Sequence, residues 1–545
     1  MIQRVHGLMV ISGAVAAVSA AVSFAGCFFD PGYDDCSLYP GAGCGSPSTT
    51  TTTGTGSGGG GGGDGGQPPD CAGDPTQDPA LVRDECGVFV SASAVQDGDG
   101  SKTRPFKTIA DAAASTGVKR IFACAEVYNE AATVSFTGGV DIYAGFANCA
   151  SASGWSWQPT SFATLNGAPD LPALVLDGGA SHIENLHVVA AQAALGGGSS
   201  IAMIVNGGTL DMPNGSLEAK AAKTGDPGVH LADDAALDGE QGDSGVGICD
   251  SGASNPGPTG KTKVCASSDG STAGNGGDGG GLTAGTPDPA GSGTDGTPPD
   301  VSQPTKGVGG IGEGQGTPAA NSCDIGQPGA NGVAGSSGAG ASGAGALSAS
   351  GYSGNKGGAG TNGKPGQGGG GGGGAKGATS ITCNTVTQDR VGASGGAGGT
   401  GGCGGALGGG GNPGGSSIAL VSLNATITLG QVTLKAGLAG DGGKGGDGQS
   451  PGKKGIGGNP GAGQGAANDS CRGGDGGRGG AGGPGGGGQG GHSLGIAFKG
   501  KAPTGGTVQI DMANNGKGGP GGNGNSAADN GKGADGVASN MMSFD

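Results

Sequence analysis

The sequence predicts an all-β chain made of stacked coils, and three observations lead there. Short apolar strands recur at a spacing of about 20–25 residues, within the range of solenoid repeats. Many end in Asn-Gly, Asp-Gly or Gly-Gly steps, such as Asn166-Gly167, Asp177-Gly178 and Asn206-Gly207, which suit sharp corners needing positive φ. Third, Ser199–Ala222 aligns without gaps on Ser416–Ala439, matching Ile201/Ile418, Ala202/Ala419, Met203/Leu420, Thr209/Thr426, Leu217/Leu434, Ala219/Ala436 and Ala222/Ala439. A weaker third copy spans Ser493–Met512, with Leu494, Ile496, Phe498, Val508 and Ile510 keeping the apolar rhythm. A strand pair cannot stand alone, so stacking the copies is the economical way to bury their apolar faces. An antiparallel sandwich is the rival arrangement.

Taken in order, Met1–Gly26 is a targeting segment: Arg4 supplies a positive start, Leu8 to Val22 is an apolar run, and small residues precede Cys27. Ser23-Phe24-Ala25-Gly26-Cys27 resembles the lipobox of bacterial lipoproteins, with Phe24 where Leu is usual. That resemblance implies an acylated Cys27 as the mature N-terminus, and Phe28 after it implies the outer membrane. Cleavage after Ala25 by ordinary signal peptidase is the alternative. Residues 27–70, with Thr49–Thr53 and Gly58–Gly63, form a flexible tether.

Residues 71–224 are the best candidate for a packed domain. Gly87–Ser93 alternates like a strand with one buried face, and a turn-rich loop follows. Phe106, Ile109, Ala112 and Ala113 fall at helical spacing, predicting a short helix over Phe106–Ser115 that Gly117 closes. Such a helix would cap the open end of a stacked core. Further strands are expected at Val140–Ala144, Phe162–Leu165, Ala173–Leu176, Ile183–Val189, Ile201–Val205 and Gly208–Met212.

The opening stretch Gly87–Glu130 resembles the N-terminal segment of secreted right-handed parallel β-helix (pectate-lyase-like) proteins. Pro105, Phe106, Lys107, Thr108, Ile109 and Ala112 carry the first half of the motif. Glu126, Val127, Tyr128, Asn129 and Glu130 carry the second, with Glu126 where the family usually has Gly. The resemblance implies a right-handed parallel β-helix with a short capping helix. The fold hosts lyases, hydrolases and adhesins, so it leaves the activity open.

The rest of the chain alternates between coil-like and glycine-rich sequence: 225–415 glycine-rich, 416–440 a coil, 441–491 glycine-rich, 492–512 a coil, and 513–545 a glycine-rich tail. With 141 glycines and 29 prolines in 545 residues, much of it is low in complexity. Segments such as Gly473–Gly491 have a local period of three. They resemble the glycine-rich regions of PGRS-type surface proteins, whose Gly-Gly-x units can build polyglycine II bundles. Disorder is the other reading, because glycine loses most entropy on ordering. Collagen is excluded by the interrupted triplets and the low proline content.

Composition limits the partners. A net charge of −17 with no basic block argues against nucleic acid and against an anionic membrane surface. Of 13 cysteines, removing Cys27 leaves an even number, as expected of disulfides formed in an oxidising compartment. The local pairings expected are Cys36–Cys44, Cys71–Cys86, Cys124–Cys149 and Cys249–Cys265, with Cys323, Cys383, Cys403 and Cys471 joining the glycine-rich parts.

No residue set spells out a reaction, so no catalytic residue, metal or cofactor is expected. Asp97-Gly98-Asp99-Gly100 lacks the further carboxylates of a calcium loop and reads as a turn. Gly442–Ser450 lacks the apolar residue of a calcium-binding nonapeptide. His182 and His187, five apart, are expected on opposite sides of a straight strand. Asp141, Asp177, Glu184 and Asp211 are the carboxylates that successive coils would bring near one another, and Trp155, Trp157 and Tyr143 are the candidate sugar platform.

The reading is a non-catalytic, lipid-anchored cell-envelope protein of the outer membrane or cell surface, for surface structure, adhesion or matrix interaction. The alternative is a polysaccharide-binding or polysaccharide-cleaving β-helix, a lyase or hydrolase. A third reading is a glycine-helix bundle that binds ice or assembles into fibres, against which the interrupted triplets count.

Overall fold

The computed structural model describes residues 71–95, 98–151, 154–266, 269–316, 320–506, 508–523 and 531–545. They belong to one compact unit, Pro68–Asp545. Cys27, Cys36, Cys44, Asp97, the targeting segment and the tether lie outside the described residues.

The first part of the chain forms strands β1 (Val88–Val90), β2 (Arg120–Cys124), β3 (Val127–Asn129), β4 (Val134–Thr137), β5 (Asp141–Ala147) and β6 (Ser156–Trp157). It continues through β7 (Ala163–Asn166), β8 (Leu174–Asp177), β9 (Ala180–Val189), β10 (Ser200–Asn206) and β11 (Thr209–Ala219), with one α-helix, α1 (Ile109–Ala114), after β1. Four antiparallel hairpins punctuate the long glycine-rich stretch that follows. They are β12 (Thr262–Val264) with β13 (Gly270–Thr272), β14 (Leu282–Thr283) with β15 (Thr286–Pro287), β16 (Ala346–Ser348) with β17 (Gly351–Ser353), and β18 (Ala378–Cys383) with β19 (Val386–Arg390). The last strands are β20 (Ser417–Leu423), β21 (Thr426–Ala436), β22 (Ser493–Lys499), β23 (Thr504–Gly505), β24 (Val508–Met512) and β25 (Ala538–Ser543).

The chain is all-β, dominated by two long parallel sheets. One runs β1-β2-β5-β9-β11-β21, with β23 and β24 both pairing with β21, and β7 lies beside the second half of β9. The other runs β4-β8-β10-β20-β22-β25. From β9 onward the chain alternates between them, β9 then β10, β11 then β20, β21 then β22, β24 then β25. Each new pair is thus added one ladder step beyond the last. The internal repeat is the register of these ladders. Ile201 pairs with Ile418, Met203 with Leu420, Thr209 with Thr426, Leu217 with Leu434 and Ala219 with Ala436.

Stacking like on like builds the core. Val134, Leu174, Met203, Leu420 and Ile496 are successive ladder partners, all buried. They join Ile121, Ile142, Ile183, Leu210 and Ile427 of the other sheet in a single apolar cluster. Each such side chain contributes about 1.5–3 kcal/mol of transfer free energy. The step from one sheet to the next is a two-residue turn. Gly178-Gly179 and Gly207-Gly208 have φ near +70° throughout, and a Cβ at Gly208 would overlap the Gly179 carbonyl below. Glycine fits these positions without strain, and in the next corner of the stack Asn424, at φ 53°, and Ala425 take their place.

The helix begins later than its apolar spacing suggests. Phe106 is not helical; it bridges to Val90, donates its N–H to the Phe89 carbonyl and accepts from Ser91. Thr108 must be extended to cap the helix, and its hydroxyl accepts from Asp111 in a reciprocal capping box. Glu130 Oε1 accepts the Ile109 N–H at 2.8 Å, and Ile109 and Ala112 are buried in the main cluster. Burial pushes the Glu130 carboxyl up, the Ile109 and Ala110 amides opposing. Tyr128 donates to the carbonyls of Val90 and Cys124, clamping β1 to β2. Glu126 accepts from the hydroxyls of Ser91 and Ser93 and from the Ser93 N–H. The motif residues therefore build the first corner of the fold.

Residues 220–416, 437–492 and 513–537 leave from one corner, between a strand of the first sheet and the next strand of the second. The described glycine-rich parts of these segments are ordered. Gly399, Gly402, Gly405, Gly408 and Gly411 donate to the carbonyls of Gly474, Gly477, Gly480, Gly483 and Gly486, a contact every three residues. Gly474, Gly477, Gly480, Gly483 and Gly486 in turn donate to Gly370, Gln367, Lys364, Thr361 and Gly358, running the opposite way. A chain with three residues per turn presents such an edge to each neighbour. In Gly473–Gly486 both glycines of each triplet are buried, and a Cβ on any of them would overlap a neighbouring carbonyl. The third position, Asp475, Arg478, Ala481 or Pro484, reaches the surface.

Candidate functional site

The outward face of the first sheet collects the polar side chains that strand alternation turns away from the core. Arg120, Asp141 and His182 are successive ladder partners, and Asp211 is the next. Phe122, Tyr143 and Glu184 stack beside them. His182 sits between two carboxylates, with Nδ1 3.0 Å from Asp211 Oδ2 and Nε2 3.6 Å from Glu184 Oε2. Donating to the Glu184 carboxylate, and then to that of Asp211, raises its proton affinity above that of an ordinary imidazole, against burial. Its ring lies 5.2 Å from that of Tyr143, and the Arg120 guanidinium is 5.4 Å from the same Tyr143 ring. Arg120 also reaches Asp141 at 3.8 Å and donates to the carbonyls of Cys71 and Gly73.

His187 does not lie on the opposite side, as straight alternation would have it. Asn185 is buried in a left-handed conformation, φ 55°, where the β9–β11 register shifts. That one residue restores the outward direction for His187. Its amide nitrogen donates to the carbonyls of Gln158 and Ser161, and its oxygen accepts from Asn214. The two histidines share a face but not a site. His187 stacks on Phe162 at 4.4 Å and its Nδ1 is 2.6 Å from Ser216 Oγ. Burial and then Lys435 push its pKa down, opposite to His182.

Asp141, Glu184 and Asp211 thus come together around His182, while Asp177 lies in the other sheet, where it accepts from Asn206. Trp155 is buried against Phe89 and Phe146, so it plugs the N-terminal end rather than offering a sugar platform. Trp157 donates its indole N–H to the Ala144 carbonyl. Tyr143 is also mostly covered. Farther along the same face Glu218, Lys435 and Asp511 are ladder neighbours lining a cleft of about 450 Å³.

The chemistry open to this face is limited. Both nitrogens of His182 face carboxylates, an arrangement that favours the protonated, doubly donating imidazole over a neutral ring with a lone pair free for a metal. Among the described residues no group of three His, Cys, Asp or Glu could hold a metal ion. Asp99 belongs to a turn, accepting from Ser101 and pairing with Arg104. No helix of the described residues is long and apolar enough to cross a membrane.

Five disulfides join described cysteines. Cys71–Cys86 and Cys124–Cys149 close short loops at the start of the sheets. The expected Cys249–Cys265 pair does not form. Instead Cys249 bonds Cys383 and Cys265 bonds Cys403, with Cys323–Cys471 as the third long-range bridge. Glycine segments packed in parallel and antiparallel bring residues more than a hundred positions apart side by side, which proximity in sequence does not reveal. Five disulfides point to an oxidising, extracellular environment. No protein-family model, curated protein or solved structure matches this chain.

Proposed function

We propose that this chain is a non-catalytic cell-envelope surface protein in which a right-handed parallel β-helix carries a polyglycine II-like bundle. Acylation of Cys27 would anchor it to the outer membrane, and residues 27–70 would hold it off the surface. Its role is structural, in adhesion or in contact with extracellular polysaccharide or matrix, and nucleic acid is not a partner. The β-helix reading rests on two parallel ladders climbed alternately by one chain. The observation that carries the function is the long glycine insertions, all leaving from one corner and pinned by three disulfides, two within the first insertion and one joining it to the second. Such a bundle is a stiff, extended surface with little in it to do chemistry. The test is fractionation of cells making the wild type and Cys27→Ser, followed by protease shaving. Wild type in the outer-membrane fraction and Cys27→Ser released would support the reading; equal release of both would overturn the anchor.

A second reading, a polysaccharide-binding or polysaccharide-cleaving lyase or hydrolase, is favoured by the cluster of Asp141, His182, Glu184 and Asp211 on one sheet face. Incubation with acidic and neutral polysaccharides checks it. Release of reducing ends or unsaturated products, lost in His182→Ala and Asp211→Asn, would establish that activity in place of the structural role.

A further inference from the structure

His492 belongs to none of the features above. It is 1% exposed, immediately before β22, and both ring nitrogens are committed. The Val537 N–H donates to Nδ1 at 2.9 Å, which places the ring proton on Nε2. Nε2 then donates to the Ala344 carbonyl at 2.8 Å. Tyr352 and Phe544 meet the ring edge-on, at 5.3 and 5.9 Å. One neutral imidazole therefore ties together three pieces far apart in sequence: the approach to hairpin β16–β17, the start of β22 and the residue preceding β25.

Hairpin β16–β17 and Phe544, which follows the edge strand β25, cover the outer face of the second sheet. Leu347, Tyr352 and Phe544 pack on Ile201, Ile204, Ile418, Val421 and Leu494, an apolar layer separate from the core between the sheets. The surroundings of the ring carry little that could balance a charge. Ser416 Oγ accepts the His492 N–H, and the Gln489 amide nitrogen lies 3.5 Å from Nε2 while donating to Gly343. Tyr352 is the titratable neighbour, and burial pushes it up to about 12, so it stays neutral. Burial holds the His492 pKa down, the Ala344 carbonyl opposing.

We propose that His492 is an acid-released latch holding hairpin β16–β17, together with Phe544 beyond the edge strand β25, over the apolar outer face of the second sheet. Protonation puts a hydrogen on Nδ1, so an acceptor becomes a donor facing the Val537 N–H. The new cation has one carbonyl to bond and, among the described residues, no carboxylate paired with it, and burying it is costly. Separation of the cover gives the ring water and exposes Ile204, Ile418, Val421 and Leu494. The sign follows from the depressed pKa. The closed cover is fully favoured above about pH 6.5, the ordinary imidazole value, and is weakened as pH falls below it toward the folded value. Opening rises by up to about tenfold per pH unit in that window.

The test is hydrogen exchange of the full chain with its disulfides intact, at about pH 7.5 and about pH 5, corrected for intrinsic rates. In the wild type, peptides covering residues 344–353 and 537–544 should lose protection at the lower pH, by up to about thirtyfold. Residues 200–206, beneath the cover, should exchange through their own ladder bonds and stay unchanged. His492→Gln supplies an amide oxygen for Val537 and an amide nitrogen for Ala344 without a titrating group, and should hold its protection at both pH values. The proposal is overturned if the wild type shows no differential loss, or if His492→Gln loses protection as the wild type does. Should His492→Gln not fold, the wild-type contrast between cover and control peptides decides the matter by itself.

Discussion

The two halves of this molecule fill their interiors by opposite means. Between the sheets, side chains do the filling: Val134, Leu174, Met203, Leu420 and Ile496 stack in one column, and stability comes from the apolar area they remove from water. In the glycine bundle the backbone fills the space. Gly368–Gly374 is buried along its whole length, each of its seven amides donates to a different neighbour, and a Cβ on any of the seven would overlap a carbonyl. The bundle buries almost no apolar surface, so hydrogen bonds and covalent bridges must offset the large entropy of ordering glycine. That is where the three long-range disulfides lie.

The sharpest way to break the contrast is to remove a bridge from each part. Cys265–Cys403 closes a loop of sequence separation 138, whereas Cys71–Cys86 spans 15. Chain-entropy arguments give about 5 kcal/mol for the first and about 3 for the second. Replacing Cys265 and Cys403 by Ser should therefore lower the denaturation midpoint more than the same change at Cys71 and Cys86. Equal losses would mean that the bundle does not depend on its staples.

Methyl groups should act with opposite sign in the two parts. Leu174→Ala deletes volume from the sheet core and should cost about 2–5 kcal/mol. Gly371→Ala adds one methyl against the Asn275 carbonyl and should cost at least about 1–3 kcal/mol, although alanine is ordinarily the more favourable residue. Gly252→Ala, where a Cβ meets nothing within 4 Å, is the matched control and should be neutral in the same thermal melts.

Much of the sheet region was legible in the sequence because its spacing is set by local rules. The gapless match of Ser199–Ala222 on Ser416–Ala439 turned out to be ladder register, since like residues stack on like when strands are parallel and unshifted. What local rules could not give came from distant partners or single residues. Phe106 left the helix because Thr108 caps it. His187 turned outward because Asn185 adopts φ 55°, a change alternation cannot anticipate. The order of the glycine segments and the Cys249–Cys383 bridge depend on neighbours more than a hundred residues away. The cluster around His182 is half visible in the sequence: Asp141, Glu184 and Asp211 are expected near one another, but nothing local places His182 among them.

Smaller effects sharpen the account of the sheet face. Tyr128→Phe removes the hydroxyl proton shared by the Val90 and Cys124 carbonyls, the latter keeping the Glu126 N–H, and should cost about 0.5–1.5 kcal/mol in denaturant titrations. His182 has a raised pKa, so its contribution is fully present below the ordinary imidazole value and is lost as pH rises through the folded value. Stability of the wild type should therefore fall slightly between neutral and mildly alkaline pH. His182→Gln should remove that slope, measured as the difference in midpoint between the two conditions.

The central claim, that glycine backbone forms a solid interior, is tested most directly by amide exchange in the oxidised full-length chain, read over Gly368–Gly374. The account predicts that all seven amides exchange as slowly as those of β10 and β20. Exchange at the rate of an unstructured chain, with β10 and β20 still protected, would contradict it.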